Sequence, residues 1–573
     1  MSDLRTADGL VEDNDQQKAK MFNDFFSSVY TVEDQQSMPD IPSRPVKKQL
    51  TNVEINRKDV LEVLRKLQPD KSPGPDKIHP KVLKECADEL AGPLTMLFSN
   101  SLKEGRLPEE WKEADVSPIF KKGSRCQVEN YRPISLTSVC CKLLEKIIRK
   151  AILNHMIENK FLSENQHGFV NGRSCTTQLI KVMDKLTEIL DQGGAVDMVY
   201  LDFAKAFDKV PHRRLLRKLN GYGISGELMI WIEQFLVNRK QRVGVAGCFS
   251  EWTLVESGVP QGSVLGPILF VCFINDMPET IASFIYLYAD DTKIFRQMNG
   301  EVDREALQRD LDTLWQWAAD WKMKFHMEKC SVMHIGTTNK QNNMSIADGM
   351  SRAKLKETSL EKDLGIWFND RLKPDDHIAC AVNKANQILG LIRRTFTHMD
   401  CQLMRQLYTS LVRPHLEYGN VVWHPYLKQD IEMLERVQHR ATRMVPGLAK
   451  LSYEERLQKM DIPSLTYRRA RGDAIEVYKY LHGIYMVDCS ELLPGHKTNG
   501  MRTRGNSMKL LKRACNTQLR ANFFGMRVVN MWNSLPEDVV SAPSVNCFKG
   551  RFDRHCMDYR YRPDWNCSEV KYN

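Results

Sequence analysis

The chain has 573 residues, of which 42% are hydrophobic and 27% are charged, and this balance excludes a fibrous or wholly disordered protein. Its length predicts two to four domains. The longest apolar run, residues 264–274, is too short to span a bilayer, and the polar N-terminus has no apolar signal-peptide core. We therefore expect a soluble intracellular protein without a membrane partner.

The net charge of +10 is concentrated towards the C-terminus. From residue 381 onward there are 30 Lys and Arg against 18 Asp and Glu, whereas the rest of the chain has 52 against 54. A basic C-terminal third favours an anionic partner such as nucleic acid, although a merely soluble basic surface explains the charge equally well. The 15 cysteines form no C-x-x-C pair, which favours a reducing compartment over a disulfide framework.

The N-terminal part of the pattern is mostly helical. Apolar residues at Val60, Leu64 and Leu67 recur at the helical period, and three prolines and a glycine exclude a regular element from the loop after them. The expected elements are, in order, a polar N-terminal linker region (1–50) with one amphipathic stretch, a helix capped by Thr51, an ordered loop (71–80), helices (81–101) and a strand (115–120).

Two later segments carry strong β-strand signals. Residues 196–203 are apolar and β-branched and stop at an acid, and residues 284–295 form two short apolar runs around Ala-Asp-Asp, which predicts a hairpin. Strands interleaved with helices predict an α+β domain. Further helices are expected at 213–219, 226–236 and 264–276, and from about residue 380 the chain is predicted to be mostly helical.

Three aspartates stand at the ends of these two strand segments. Asp202 follows the first, and Asp290 and Asp291 lie between the two runs of the second. If the segments are neighbours in one sheet, the three carboxylates converge and repel one another unless a cation such as Mg²⁺ binds them. Two such ions could stabilise an attacking 3′-hydroxyl and a leaving pyrophosphate. The alternative is a polar hairpin turn and an ordinary strand end.

Nine sequence blocks, in order, carry a family resemblance. They are KSPGPD (71–76), FKKG (120–123), NYRPISL (130–136), QHGFVNGRSC (166–175), YLDFAKAFDKV (200–210), GVPQGSVLGPILF (258–270), YADD (288–291), KMKFHMEKC (322–330) and KDLGI (362–366). With these blocks the chain resembles the reverse transcriptase of non-LTR (LINE-type) retrotransposons, close to the jockey and chicken-repeat groups. The matching region runs from about residue 71 to 447.

The resemblance implies a right-hand polymerase fold and a metal centre. It implies fingers and a palm with an antiparallel sheet over 51–365, a helical thumb over 366–450 and a mostly helical, basic C-terminal extension over 451–573 that grips nucleic acid by its phosphates. The implied metal ligands are Asp202, the backbone carbonyl of Phe203, Asp290 and Asp291. They would hold two Mg²⁺ ions, for which Mn²⁺ can substitute.

The resemblance also implies contacts to the incoming nucleotide. Phe207 falls where the family places an aromatic gate against a ribose 2′-OH, with plain core packing as the alternative. Gln261 resembles a residue beside the nucleotide, and Gly262 would allow close backbone approach to it. Arg132 resembles a residue that clamps the triphosphate with a bidentate guanidinium.

Two lysines complete the set of implied site residues. Lys121 could share the triphosphate with Arg132, although Lys122 competes for that role. Lys329 matches a lysine that protonates or neutralises the leaving pyrophosphate, and a solvated surface lysine is the alternative.

The implied partners are an RNA template, a DNA primer or target and dNTPs, in a ribonucleoprotein of the nucleus or cytoplasm. Only about 50 residues precede the polymerase blocks, so we expect a portion of a longer element whose endonuclease is supplied in trans. Two rival functions stay open. One is an RNA-dependent RNA polymerase, which Phe207 and the sequence Tyr-Ala-Asp-Asp disfavour, and the other is a catalytically silent nucleic-acid-binding protein.

Overall fold

The computed structural model describes residues 3–5, 8–33, 38–42, 44–341, 343–348, 351–495 and 505–565. Within them, helices and two five-stranded sheets combine in an α+β fold, as the alternating sequence pattern predicted. Among the described residues, no helix is both long enough and apolar enough to cross a bilayer.

The strands are β1 (Leu4–Arg5), β2 (Val11–Glu12), β3 (Glu113–Phe120), β4 (Tyr131–Leu136), β5 (Val196–Leu201), β6 (Arg239–Val245), β7 (Cys248–Phe249), β8 (Thr253–Val255), β9 (Phe284–Tyr288), β10 (Asp291–Gln297), β11 (Ser331–Ile335), β12 (Ser345–Asp348), β13 (Ser351–Lys354), β14 (Lys356–Glu357), β15 (Leu360–Asp363) and β16 (Ile366–Asn369).

The helices are α1 (Asp15–Ser27), α2 (Arg57–Arg65), α3 (Pro80–Glu85), α4 (Ala87–Glu104), α5 (Glu109–Lys112), α6 (Val139–Glu158), α7 (Cys175–Asp191), α8 (Ala206–Lys209), α9 (His212–Gly221), α10 (Gly226–Leu236), α11 (Gly266–Ile274), α12 (Glu301–Asp320), α13 (Asp375–Thr395), α14 (Cys401–Leu407), α15 (Arg413–Glu417), α16 (Lys428–Arg443), α17 (Tyr453–Met460), α18 (Leu465–Leu481), α19 (Gln518–Ala521), α20 (Phe524–Ser534), α21 (Glu537–Val540) and α22 (Val545–His555). A π-helical turn, Tyr408–Val412, joins α14 to α15.

The central sheet has the strand order β14-β11-β5-β10-β9. Strand β5 is antiparallel to both of its neighbours, β10 and β11, and β9 and β10 form a hairpin. Alternate side chains of each strand point to opposite faces, and both faces are covered. Val199 and Leu201 belong to a core shared with α6, α9, α10 and α11, whereas Val196 and Met198 belong to a core shared with α7 and the C-terminal helices.

The C-terminal helices complete the second of these cores. Helix α13 packs on α16, α16 packs on α18, and α18 packs on both α20 and α22; buried residues from Ile366 to Trp565 lie in the same core. Residues after 450 therefore do not form a separate core. They are also tied to α7, because Arg520 donates to the carboxylate of Asp184 at 2.7 Å.

The second sheet, built from β3, β4, β6, β7 and β8, carries the N-terminal helix. Residues 15–27 of the predicted N-terminal linker region (1–50) form α1, and this helix is packed. Phe22 and Phe26, one helical turn apart, bury their rings against Tyr131 and Val243 of the sheet. The amphipathic stretch seen in the sequence is thus a helix with a partner.

Other predicted elements agree with the structure except at their ends. The helix expected from Thr51 is α2, which begins later because Asn56 provides the cap by accepting a hydrogen bond from the Asp59 N–H. Residues 71–79 form no regular element, as their prolines predicted. The helix containing Leu215 ends at Gly221, and α10 follows after four residues.

Candidate active site

The structure places the two acid-bearing segments side by side. Strand β5 pairs with β10 in the register Leu201 with Thr292, so Asp202 and Asp291 each stand one residue beyond the last paired position. Paired residues of antiparallel strands have Cα atoms about 4.5–5.5 Å apart. The condition for convergence that the sequence left open, that both segments lie in one sheet, is therefore met.

The hairpin that carries Asp290 is held in shape by the QHGF block. Tyr288 pairs with Asp291, which leaves a two-residue turn with Ala289 at φ +54°. The side-chain oxygen of buried Gln166 accepts hydrogen bonds from the N–H groups of Ala289 (3.1 Å) and Gly168 (2.7 Å). A Cβ on Gly168 would lie 2.5 Å from the Ala289 nitrogen, so only glycine allows this approach.

Two of the acids, Asp290 and Asp291, have a raised proton affinity. Burial, followed by the charges of Asp290 and Asp202, raises the pKa of Asp291 to about 6, and burial together with the Asp202 charge raises the pKa of Asp290. Lys329 lies on the other side, with its Nζ 2.7 Å from Oδ2 of Asp202. Among the described residues, no group of three Asp, Glu, His or Cys side chains has the geometry of a metal site. Asp202 is paired with Lys329.

A backbone carbonyl next to Asp202 is also free of the strand ladder. Phe203 forms an isolated antiparallel β-bridge with Phe325, but the two backbone hydrogen bonds of this bridge do not use the Phe203 carbonyl. The Ala204 N–H donates to the backbone carbonyl of Lys324, and the His326 N–H donates to the backbone carbonyl of Asp202, both at 2.8 Å. Carboxylate and carbonyl oxygens are the ligands that hard divalent cations prefer, so this donor set fits the predicted magnesium centre.

Basic side chains from the second sheet face the acids. Arg132 on β4 pairs with Ile119 on β3, and Lys121 follows directly after β3. Partial burial, then the charges of Arg132 and Lys329, lowers the pKa of Lys121. The charges of Arg132 and Lys121 in turn act on the carboxylate of Asp290. The structure therefore brings both predicted triphosphate residues to the acidic cluster.

Phe207 lies between two other aromatic rings. It is stacked on Phe270, with ring centroids 4.4 Å apart, and Phe169 meets it edge-on at 6.3 Å. The ring is only partly buried, so it packs on the core and also keeps an accessible edge. Core packing and a gate role are thus compatible at this position.

Gln261 and Gly262 make contacts within the protein. The Gln261 side-chain amide donates to Oδ1 of Asp208 at 2.7 Å, and its carbonyl accepts from the Ser135 N–H at 2.7 Å. Gly262 has φ +128°, and a Cβ there would lie 2.3 Å from the Ser135 carbonyl oxygen. Glycine is therefore required at position 262 by the close approach to β4, and an approach of Gly262 to the nucleotide stays a prediction.

Comparison with known proteins identifies this region. Residues 119–373 match the family described as "Reverse transcriptase (RNA-dependent DNA polymerase)". This part of the chain is a reverse transcriptase domain. The match contains the three acids, Lys121, Arg132, Phe207, Gln261, Gly262 and Lys329, and the resemblance drawn from the sequence blocks is confirmed.

Relatives of the reverse transcriptase domain come from mobile elements. The chain is 27% identical over 469 residues to the "Probable RNA-directed DNA polymerase from transposon BS" of Drosophila melanogaster, covering 77% of this chain and 51% of the relative. It is 28% identical over 414 residues to the "RNA-directed DNA polymerase from mobile element jockey" of Drosophila funebris, covering 69% and 44%. The chain thus spans about half the length of these curated relatives.

The reverse transcriptase domain also contains site residues that the sequence did not reveal. Gln166, Gly168 and Asp208 all lie in matched blocks, but the sequence assigned them no role. Lys293 and Asp363 form a buried ion pair that joins β10 to the KDLG block. Asp363 is the last residue of the hydrophilic strand β15 and Lys293 interrupts the apolar strand β10, so a charge inside a buried strand was the available signal.

We expect the substitution Asp208→Asn to stabilise the domain at pH 8. Burial raises the pKa of Asp208 to about 6, above the unfolded value, so the folded state favours the protonated form. The contribution of the Asp208 carboxyl to the free energy of unfolding is complete below the unfolded pKa of about 3.9 and is lost as pH rises through about 6. Asparagine keeps the acceptor for Gln261, so the gain at pH 8 should reach at most about 3 kcal/mol.

Urea unfolding measures the difference in free energy of unfolding between Asp208→Asn and the parent. This difference should be about half as large at pH 5 as at pH 8. The matched control is Asp558→Asn, an exposed acid in the C-terminal helical region. A destabilising effect of Asp208→Asn at pH 8 would show that the ionised carboxylate stabilises the fold.

Proposed function

We propose that the chain is an RNA-directed DNA polymerase that adds dNTPs to a primer 3′-OH by two-metal-ion catalysis. The single observation that carries this proposal is the pairing of β5 with β10, which puts Asp202 beside Asp290 and Asp291 within a reverse transcriptase domain. Burial, and then the charges of neighbouring carboxylates, raise the pKa values of Asp290 and Asp291, and a cation between these acids would offset both costs.

Asp202, Asp290, Asp291 and the Phe203 carbonyl are the proposed ligands of two Mg²⁺ ions, or of Mn²⁺ in their place. When bound, such ions supply stabilisation of the attacking 3′-oxygen and of the leaving pyrophosphate. Asp202 would exchange its ion pair with Lys329 for the metal. This exchange would release the Lys329 ammonium towards the departing phosphates, as a proton donor or a counter-charge.

Lys121 and Arg132 are proposed to hold the triphosphate of the incoming nucleotide. Arg132 stands on β4 and Lys121 directly follows β3, and the pKa of Lys121 is lowered by partial burial and then by the positive charges of Arg132 and Lys329. A guanidinium binds phosphate oxygens in a bidentate manner, whereas an ammonium acts as a point charge. A triphosphate would relieve the mutual repulsion of the two side chains.

Phe207 is proposed to select deoxynucleotides. Its ring is fixed by stacking on Phe270, so it cannot easily move away from a ribose 2′-OH. Gln261 and Gly262 would line the nucleotide site next to it. Their contacts to Asp208 and Ser135 hold this segment against β4, and through it against Arg132 on the same strand.

The proposed layout is fingers and palm over 51–365, a thumb over 366–450 and a basic C-terminal region over 451–573. An RNA template and a DNA primer or target would be the macromolecular partners. We place the protein in a ribonucleoprotein of the nucleus or cytoplasm, on the basis of this activity alone.

Primer extension on an RNA template in Mg²⁺ tests the function. DNA and RNA primers are each supplied with dNTPs or with NTPs. The proposal requires extension with dNTPs that greatly exceeds extension with NTPs. A preference for NTPs would instead identify an RNA polymerase, and RNA binding without extension would identify a silent nucleic-acid-binding protein.

A further inference from the structure

A cavity of about 370 Å³ opens among the C-terminal helices, away from the acidic cluster. Its walls come from α14, the π-helical turn, α15, α18 and the segment after α22. Arg405, Thr409 and Arg413 follow one another at intervals of four along one wall. Five arginines line the cavity in total: Arg405, Arg413, Arg468, Arg471 and Arg560.

The five arginines of the cavity are paired with only three carboxylates in the described residues. Three acids neutralise them, and each acid meets more than one donor. Asp461 accepts hydrogen bonds from Arg405 at 2.7 Å, from Arg560 at 2.8 Å and from the Tyr561 hydroxyl at 2.9 Å. Glu417 accepts from Arg468 and lies 3.7 Å from Arg413. Asp553 accepts from Arg471 and from the Tyr467 hydroxyl. The cluster therefore keeps a surplus of two positive charges.

Many of its N–H donors also lack an acceptor inside the cluster. Five guanidinium groups carry about 25 N–H donors, whereas the hydrogen bonds to the three carboxylates in the described residues use six. The Arg560 Nε is buried and has no hydrogen-bond partner among the residues that the structure describes. Burial and the charge of Arg468 lower the pKa of Arg413. An anion in the cavity would satisfy these donors and offset the repulsion.

The shape of the cavity favours an extended anion. A second groove of about 530 Å³ continues from it, shares Arg405, Thr409 and Asp461 with it and adds Lys459. A row of cationic groups along a groove suits successive phosphates of a polymer better than one small anion. Just after α15, the Tyr418 hydroxyl donates to the Leu364 carbonyl at 2.8 Å, in the turn between β15 and β16.

We propose that this arginine cavity, together with its adjoining groove, binds consecutive phosphodiester groups of a nucleic-acid strand. Arg413 and Arg405 make direct phosphate contacts, since Arg413 is the cavity arginine whose nearest carboxylate oxygen is farthest away. Arg468 and Arg471 are held by two-point contacts to Glu417 and Asp553 and mainly shape the cavity. This site is separate from the polymerase chemistry and does not depend on it.

Binding of the full chain to a single-stranded RNA of about 20 nucleotides, followed by fluorescence anisotropy without dNTPs, tests the proposal. The double variant Arg405→Gln/Arg413→Gln should bind more weakly. The slope of log K against log[salt] should become shallower by about 1.4, which is about 0.7 for each lost phosphate contact on a single strand. Because no nucleotide is added, a failure of the polymerase proposal leaves this result unaffected.

The matched control is Arg393→Gln/Arg436→Gln, which removes two exposed arginines of α13 and α16 and should keep the parent slope. Equal slopes for both double variants would overturn the proposal and leave an internal ion-pair network. Competition by pyrophosphate that depends on the cavity, with an unchanged RNA slope, would also overturn it in favour of a small anion. If the double variant unfolds, Arg413→Lys keeps the charge and must still weaken RNA binding.

Discussion

Asp290→Asn should reduce primer extension by at least about 1,000-fold, because a metal ligand that stabilises the transition state is worth several kcal/mol. The amide is isosteric with the carboxylate and removes one negative charge from a cluster whose members repel one another. We therefore expect the variant to fold at least as stably as the parent in the absence of divalent ions. Single-nucleotide addition on an RNA template, with Mg²⁺ and a matched dNTP, measures the effect.

RNA binding by the same variant should stay at the parent level, since Asp290 does not contact the basic residues of the C-terminal cavity. Asp558→Asn serves as the control for an acid-to-amide change and should keep full extension. If Asp290→Asn extends a primer at more than about a tenth of the parent rate, the acid is not a required metal ligand.

Phe207→Ala should relax the discrimination between dNTPs and NTPs by on the order of 100-fold, the scale that steric recognition of one hydroxyl group can supply. The ring is fixed by Phe270 and Phe169, so its removal opens space where a 2′-OH would stand. The ratio of kcat/KM for a dNTP and its matching NTP measures this change.

Phe284→Ala is the control, because Phe284 is a partly exposed aromatic residue at the opposite end of the β9–β10 hairpin from Asp290. Its removal should lower stability without changing sugar selection. Should Phe207→Ala lower both rates equally and leave their ratio intact, the ring is a packing residue and the gate lies elsewhere.

The acidic centre could be predicted from the sequence because its signal is local. Asp202 interrupts an apolar β-branched run, and the Asp290–Asp291 pair sits between two such runs, so each acid marks a strand end. Their adjacency required one assumption, that β5 and β10 are neighbours, which the pairing of Leu201 with Thr292 supports. The nine blocks made that assumption reasonable before any contact was known.

Contacts between distant parts of the chain were not predictable in the same way. Gln166 reaches the turn at Ala289 across 123 residues, and nothing in the periodicity of either segment indicates this bond. The packing of α1 on the second sheet joins Phe22 to Val243. The arginine cavity gathers residues from 405 to 560, whereas their sequence signal was only a diffuse positive charge.

Anomalous diffraction from crystals grown with Mn²⁺, an RNA–DNA primer–template and a non-hydrolysable dNTP analogue is the most direct test of the proposed metal centre. We expect two Mn²⁺ peaks about 3.5–4 Å apart, ligated by Asp202, Asp290 and Asp291, with Lys329 released from its contact to Asp202. An unbroken Lys329–Asp202 ion pair with no Mn²⁺ peak between the acids would contradict the account.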